Sequence, residues 1–345
     1  MLCCKSFRRG PAQADPILIS DSTRQTLLSC MGLNMATART AREETCCSKR
    51  VKTSPPEPLC QGRLFVGANW KCSIEDAEGA DALVAKLNDA WKAHGSPGVE
   101  VCVFPPYVFL DRVMSKLHST TACVGSQNAW DAAAGFSSTG VVSAKMLQSI
   151  GCKWVLLGHS DRRNTLGETD SLIAQKVAKC LEAGLSVNLT IGETREVRES
   201  VGSDGATEVL LGQLEAAAAG IPRDAWNRIA VAYEPVWAIG EGASPCSPEE
   251  TQRILAALRA WIGKHAGPSA AANCRLLYTG SVNEANAAEY SKLTEVDGFI
   301  VGRAGLDAGK LLSICGTLAG AKAVASKPPE VKSANSDVPS DSKVS

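Results

Sequence analysis

The stretch Ile229-Ala230-Val231-Ala232-Tyr233-Glu234-Pro235-Val236-Trp237-Ala238-Ile239-Gly240 decides how the chain is interpreted. It opens with a near-continuous apolar run, 229–233, of the kind shown by strands that are buried on both faces. A carboxylate and a proline end the run abruptly. Seven more runs of this kind lie along the chain, at 64–68, 99–104, 123–126, 154–157, 186–191, 276–278 and 299–301. The sequence therefore predicts eight short buried strands.

Helical patterns fill the segments between these runs. After the first run, for example, Leu83, Val84, Leu87 and Trp91 fall on one stripe of a helix. Eight strand–helix units in about 250 residues match the size of a closed eight-stranded barrel, so we predict an α/β fold of the (β/α)8 type. The competing doubly wound open sheet favours a glycine-rich phosphate turn after its first strand, and the segment 67–71 is not such a turn.

The two ends of the chain differ from this pattern. From residue 1 to residue 63 there are ten Lys or Arg against five Asp or Glu, without a sustained strand or helix period. We predict that 1–62 is a disordered extension that includes an organelle-targeting leader, which indicates a plastid or another organelle, with the cytoplasm as the alternative. The barrel is predicted over 63–320, and 321–345 is expected to be a disordered tail.

Composition excludes several classes of function. The 36 basic residues equal the 36 acidic ones, and this balance argues against nucleic acid as a partner. No run of about 18 apolar residues is present, so we expect no membrane partner either. The 14 cysteines contain no CxxC pair, which favours structural thiols and no metal site.

Polar residues follow several of the predicted strands directly. In a closed parallel barrel the loops after the strands share one rim, where active sites form. We therefore expect these side chains to converge on one face: Asn69 and Lys71 after the first strand, His159 after the fourth, Glu234 after the sixth, Ser281 after the seventh, and Gly302 with Arg303 after the eighth. The apolar neighbours of Glu234 favour its protonated form unless it is paired, which suits a general base near neutral pH.

The segment after Glu234 predicts a lid. Its apolar side chains would make a poor exposed surface, but they suit a loop that closes over a ligand and excludes water. A buried connector is the alternative, and it leaves Glu234 unexplained. The lid residues are Pro235, Val236, Trp237, Ala238, Ile239 and Gly240.

Backbone N–H groups after the last two strands are candidates for anion binding. Ser281 follows the seventh strand, and Gly302 and Arg303 begin a helical turn after the eighth. A helix N-terminus favours a phosphate, and barrels often hold phosphate at this place. Taken alone, the pair Gly302 and Arg303 is weak evidence for a phosphate site. Its position after the eighth strand of a predicted barrel strengthens that evidence.

Five blocks of this sequence together resemble the triosephosphate isomerase family, over about residues 63–318. They are 68–71 (Ala-Asn-Trp-Lys), 158–163 (Gly-His-Ser-Asp-Arg-Arg), 232–240, 278–282 (Tyr-Thr-Gly-Ser-Val) and 297–302 (Asp-Gly-Phe-Ile-Val-Gly). The order and the spacing of the blocks agree as well. The resemblance implies a TIM barrel that interconverts dihydroxyacetone phosphate and glyceraldehyde 3-phosphate without a cofactor.

The resemblance also implies roles for individual residues. Glu234 is the base that moves a proton between two carbons, neutral His159 polarises the carbonyl, and Lys71 offsets negative charge. Asn69 positions the substrate, while Gly240, Ser281 and Gly302 present backbone donors to the phosphate. The family resemblance further implies a homodimer, in which 127–139 projects into the partner, Thr139 lies near the neighbouring site and Cys72 is an interface thiol.

The sequence departs from the family pattern at several positions. Asp161 stands where Glu is usual, and Thr279 and Arg303 each replace a glycine. A β-branched residue at Thr279 is costly if the turn needs a positive φ. The cation of Arg303 is expected to strengthen phosphate binding. Two other functions stay open at this point: an isomerase of a four-carbon ketose phosphate, and a non-catalytic sugar-phosphate sensor or scaffold.

Overall fold

A computed structural model of the chain describes residues 64–94, 98–118, 122–130, 139–240 and 242–325. The predicted extension, 1–62, lies outside these residues. Within them, no helix combines the length and the apolar character that crossing a membrane requires.

Eight parallel strands close into a barrel in which each strand pairs with its neighbours in chain order, and β8 pairs with β1. This confirms the predicted (β/α)8 fold. The strands are β1 Phe65–Asn69, β2 Glu100–Phe104, β3 Ala122–Ser126, β4 Trp154–Leu157, β5 Ser186–Ile191, β6 Ile229–Tyr233, β7 Arg275–Thr279 and β8 Gly298–Val301. Each predicted apolar run coincides with one strand to within one or two residues.

Helices lie between the strands and cover the barrel. The α-helices are α1 Ala77–His94, α2 Leu110–Lys116, α3 Ala144–Ser149, α4 Asp170–Glu182, α5 Arg195–Ala218, α6 Pro248–Ala266, α7 Pro268–Asn273, α8 Ala287–Ser291 and α9 Ala308–Ala325. Single helical turns add Tyr107–Phe109, Asp161–Thr165, Arg223–Arg228, Val236–Ala238 and Arg303–Leu306. The predicted tail boundary at 321 is wrong, because α9 continues to Ala325 and packs apolar residues such as Leu318 into the core.

Side chains alternate along each strand between the barrel interior and the layer under the helices. In β6, Ala230 and Ala232 belong to the interior cluster, whereas Val231 and Tyr233 pack in the outer layer. A strand has a period of two, so the alternation places Glu234, the residue after β6, on the inner side. The end of the strand therefore delivers a carboxylate to the upper rim of the barrel.

Cysteines occupy mostly buried positions. The eight cysteines within the described residues are free thiols, and Cys72 is the exposed one among them. The same residues hold no group of three or more His, Cys, Asp or Glu side chains arranged for a metal ion.

Candidate active site

A cavity of about 1030 Å³ opens at the rim formed by the carboxyl ends of the strands. Residues that follow four different strands contribute to its lining, as expected for a barrel active site. The predicted residues that line it are Asn69, Lys71, Ile239, Gly240, Ser281, Gly302 and Arg303. His159 and Glu234 are not part of this lining, but they adjoin each other at the same rim, with His159 Nε2 3.2 Å from Glu234 Oε1.

Lys71 is held in an unusual backbone conformation. Its φ is 48°, the one positive value among non-glycine residues in the part of the chain that the structure describes. Its N–H donates to Asn69 Oδ1 at 3.0 Å, and its carbonyl oxygen accepts from Gln127 Nε2 at 2.8 Å. Backbone strain of this kind persists only where neighbours enforce it, and it concentrates at functional sites. Asn69 and Gln127 thus fix where the Lys71 side chain begins.

The Lys71 ammonium reaches the loop after β4. Its Nζ lies 3.1 Å from Asp161 Oδ2, and these side chains are 45% and 62% exposed. An ion pair so open to solvent contributes little to stability. Its effect is on position, because it holds the amine at the cavity. The shorter Asp161, where the family usually has Glu, still makes this contact.

His159 has a defined tautomer when it is neutral. The Asp161 N–H donates to His159 Nδ1 at 3.1 Å, so Nδ1 is the acceptor nitrogen. The proton of a neutral imidazole must then lie on Nε2, which is 3.2 Å from Glu234 Oε1. We assign this tautomer from the hydrogen-bond network. His159 therefore presents an N–H donor on the side of Glu234.

Glu234 is almost fully buried, with 2% of its surface exposed. Its Oε2 accepts from the Ser160 N–H at 2.8 Å, and its Oε1 accepts from Ser160 Oγ at 3.0 Å. Gly192 makes room for it, because a Cβ at that position would lie 1.9 Å from the Glu234 carbonyl oxygen. Two hydrogen bonds from Ser160 thus hold the carboxylate against the loop after β4. Its partner Ser160 was missed by the sequence prediction, although it directly follows His159.

The predicted lid segment is anchored through its two central residues, Trp237 and Ala238. Trp237 Nε1 donates to Glu193 Oε1 at 2.8 Å, and the Trp237 carbonyl accepts from Arg195 Nη2 at 2.7 Å. Further along, the Ala238 carbonyl accepts from Ser281 Oγ at 3.0 Å. The sequence analysis did not identify Glu193, which lies 44 residues from its lid partner and carries no local signal.

The far end of the cavity carries a cation without a carboxylate partner. Lys71 pairs with Asp161, and Lys310 Nζ lies 2.9 Å from Glu284 Oε1. Arg303 lines the same cavity and makes no ion pair among the residues that the structure describes. Arg303 therefore brings to the cavity lining a cation that no described carboxylate pairs with.

The turn after β7 accommodates Thr279 without strain. The positive φ falls on Gly280, at 121°, and Thr279 is not among the residues with positive φ. The β-branched side chain at Thr279 therefore does not carry the cost that a left-handed conformation would impose.

The two residues predicted for an interface lie apart from the cavity lining. Cys72 is exposed, and Thr139 is exposed at the edge of the described chain. Most of the predicted projecting loop, 131–138, lies outside the described residues.

Comparisons with known proteins all identify one family. The family model described as Triosephosphate isomerase matches residues 64–318. Over 266 residues the chain is 41% identical to a chloroplastic triosephosphate isomerase of Arabidopsis thaliana, and 42% identical to one of Fragaria ananassa. Each match covers 76% of this chain and 80% of the relative. A cytosolic triosephosphate isomerase of Oryza sativa subsp. japonica is 42% identical over 245 residues, 71% of this chain and 92% of the relative.

Proposed function

This chain belongs to the triosephosphate isomerase family, and we propose that Glu234, His159 and Lys71 are the groups that carry its reaction. The protein is an isomerase that interconverts dihydroxyacetone phosphate and D-glyceraldehyde 3-phosphate. The relatives are curated isomerases of this three-carbon reaction, so they favour neither a four-carbon substrate nor a non-catalytic sensor.

The observation that carries the proposed roles is the buried contact between Glu234 Oε1 and His159 Nε2, 3.2 Å long, at the rim that Lys71 shares. Glu234 takes a proton from the carbon beside the substrate carbonyl. The His159 Nε2–H donates to the carbonyl oxygen, where negative charge develops, and Lys71 stabilises that charge. His159 gives a proton to the carbonyl oxygen and takes one from the neighbouring hydroxyl, which becomes the new carbonyl. Return of the proton from Glu234 to the former carbonyl carbon completes the isomerisation, and no redox cofactor enters this balance.

Substrate binding requires the Glu234 carboxylate to leave Ser160. In the structure both carboxylate oxygens accept hydrogen bonds from Ser160. The lid runs directly on from Glu234 through Pro235, so closing the lid over a ligand also moves the carboxylate toward the cavity. Storage against Ser160 keeps a buried charge satisfied in the absence of substrate.

The phosphate end of the substrate is placed by backbone donors and by one cation. Gly240, Ser281 and Gly302 line the cavity together, and their N–H groups are the proposed phosphate donors. The unpaired guanidinium of Arg303 adds a charge-assisted contact at the same place. Residues Pro235 to Gly240 close over this end as the lid.

The role of Lys71 is tested by replacing it with methionine, which keeps the length of the side chain and removes the charge. We expect Lys71→Met to lower kcat/KM on glyceraldehyde 3-phosphate by about 10²- to 10³-fold, because a preorganised donor to the developing oxyanion is lost. Lys310→Met is the matched control, since Lys310 lines the same cavity and, like Lys71, is paired with one carboxylate, that of Glu284. Equal losses in the two variants would assign Lys71 only a general electrostatic effect.

We propose that the protein is a homodimer. Large apolar side chains are exposed on segments that follow β2, β3 and β4, namely Tyr107, Val108, Met146, Ile150 and Leu166. Large exposed apolar side chains are what an interface between subunits would cover. We propose that a second copy of the chain covers these residues, and that Thr139 and Cys72 lie in the same interface.

The dimer proposal predicts the effect of a bulky thiol reagent. Modification of Cys72, exposed and adjacent to Lys71 in the chain, is expected to dissociate the dimer and to lower activity together. Sedimentation and the isomerase assay measure the two effects on the same sample. Cys72→Ser should resist the reagent in both measurements, and an equally sensitive Cys72→Ser variant would assign the effect to another cysteine.

We propose a plastid, or another organelle, as the location of the protein. Two of the relatives are chloroplastic, and residues 1–62 supply a basic extension before the barrel. A cytosolic relative covers the barrel equally well, so the support comes from the extension.

A further inference from the structure

One arginine on α5 contacts the lid and two carboxylates at once. Arg198 Nη1 lies 3.0 Å from Glu193 Oε1, and its Nη2 lies 2.7 Å from Glu250 Oε1. The same guanidinium stacks on the lid, with Cζ 4.5 Å from the centre of the Trp237 ring. Cation–π contact of this kind depends on where the cation is held over the ring.

One carboxylate oxygen of Glu193 accepts hydrogen bonds from Arg198 and from two other side chains. Its Oε1 accepts from Trp237 Nε1 at 2.8 Å and from Tyr233 OH at 3.1 Å, in addition to Arg198. Its Oε2 is buried and makes no hydrogen bond among the described residues. Arg198 and the Trp237 indole therefore share one oxygen of Glu193, and any movement of the arginine toward that oxygen competes with the indole.

Glu250 holds the other side of the guanidinium. It lies in the first turn of α6, where its N–H is capped by Ser247 Oγ at 3.2 Å. Its Oε1 also accepts from Ser203 Oγ at 2.7 Å, and its Oε2 accepts from Arg253 Nε at 2.8 Å. The hydrogen bond from Arg253, helped by Arg198 and Ser203 and opposed by partial burial, lowers the pKa of Glu250 to about 2. Glu250 is therefore a fixed and permanently charged anchor.

We propose that Glu250 is a positioning residue for the lid: through Arg198 it fixes the indole of Trp237, and with it the Ile239–Gly240 edge over the cavity. This inference rests on the proposed function of 235–240 as the lid. Without Glu250, Arg198 keeps Glu193 as its carboxylate partner and moves toward the oxygen that Trp237 uses. The indole then loses its hydrogen bond or its stacked cation, and the lid loses a defined position.

A purely structural role for Glu250 is the competing explanation. Glu250 links α5 to α6 through Ser203, and Arg253 makes the same link, with Nη2 2.6 Å from Ser203 Oγ. Among the residues that the structure describes, Arg253 makes no polar contact with the lid, and its partners are Ser203, Thr207, Asp204 and Glu250. Arg253→Met is therefore a control that weakens the link between the helices and removes one partner of Glu250, while Glu250 Oε1 keeps Ser203 and Arg198.

The test compares Glu250→Ala, Glu250→Gln and Arg253→Met in the full chain, by steady-state kinetics and by 19F NMR with 5-fluorotryptophan. Trp237→Phe assigns the resonance of Trp237. Glu250→Ala is expected to shift that resonance without substrate and to lower kcat/KM by about tenfold. Glu250→Gln keeps an acceptor oxygen for Arg198 and should stay within about threefold of the parent. Arg253→Met should leave the Trp237 resonance unchanged.

A double variant decides whether Glu250 acts through Arg198. If it does, Arg198→Met with Glu250→Ala matches Arg198→Met alone in kinetics and in the Trp237 resonance. Additive losses, or an unmoved Trp237 resonance in Glu250→Ala, would overturn the positioning role. These outcomes are separate from the roles of the catalytic groups, because removal of the Glu234 carboxylate is expected to lower turnover far more, whether or not Trp237 moves.

Discussion

Replacement of Glu234 by alanine is expected to lower kcat by about 10²- to 10⁴-fold, the range that loss of a positioned general base produces. Proton transfer between two carbons needs one group that accepts the proton and returns it. Glu234 is a buried carboxylate at the rim, and its Oε1 lies 3.2 Å from Nε2 of His159, the proposed electrophile. Exchange of the carbon-bound proton with deuterated water should fall in parallel with kcat, since both depend on the same transfer.

Glu234→Gln separates the base from its packing. The amide has nearly the shape of the carboxylate and can still accept from the Ser160 N–H, which lies 2.8 Å from Oε2. It cannot take a proton, so its kcat should fall as far as that of Glu234→Ala, while KM stays within a few fold. Ser160→Ala is a milder change because the backbone N–H remains. A Glu234→Gln variant with more than a tenth of the parent kcat would exclude Glu234 as the base.

The fold was predictable because it depends on local periodicity. Each buried strand corresponds to an apolar run in the sequence. The parallel barrel brings the residues that follow those runs to one rim. This is how Asn69, Lys71 and Ser281, which are far apart in the chain, were expected together and are found lining one cavity. The tail boundary was misplaced because Ala-rich helix continues to Ala325 where the sequence shows no clear end.

The hydrogen bonds of the site were not predictable in the same way. Ser160 and Glu234 are 74 residues apart, and their contact depends on the rotamer of a carboxylate that has several possible donors. The positive φ of Lys71 is imposed by Asn69 and Gln127, not by the preference of lysine itself. Such features arise from tertiary constraints that composition and periodicity do not carry, so the sequence predicts candidate site residues but not their hydrogen bonds or backbone conformation.

A second large effect is expected at the opposite end of the barrel, where Arg275 begins β7 and Glu100 begins β2. Arg275 Nη2 lies 2.8 Å from Glu100 Oε2, and Trp154 Nε1 donates to Glu100 Oε1 at 2.7 Å. The guanidinium also lies over the rings of Trp154 and Phe65, with Cζ 5.3 Å and 5.8 Å from their centres. Arg275→Met is expected to destabilise the fold by about 3–5 kcal/mol, because it leaves a buried carboxylate without its cation.

The stability that Arg275→Met loses should increase as the pH rises. Burial already raises the pKa of Glu100 above its ordinary value of 4.5, and the charge of Arg275 is the main influence that opposes this rise. Without Arg275 the pKa of folded Glu100 rises further, while the unfolded value stays the same. A carboxyl group with a raised folded pKa contributes most stability below the unfolded pKa and loses it as pH rises. The stability deficit of Arg275→Met should therefore be small near pH 5 and largest near pH 8.

Denaturant unfolding at pH 5 and pH 8, at one protein concentration, measures both deficits. The double variant Arg275→Met with Glu100→Gln removes the ionisable partner, so its stability should recover in part at pH 8 and depend less on pH. A deficit of Arg275→Met that is equal at both pH values would instead point to lost packing against Phe65 and Trp154. Because the pair lies at the end of the barrel remote from the cavity, kcat of the folded variant should stay near that of the parent. We therefore expect stability and catalysis to depend on opposite ends of the barrel, so that the active-site rim can keep Lys71 at a positive φ and a buried carboxylate at Glu234.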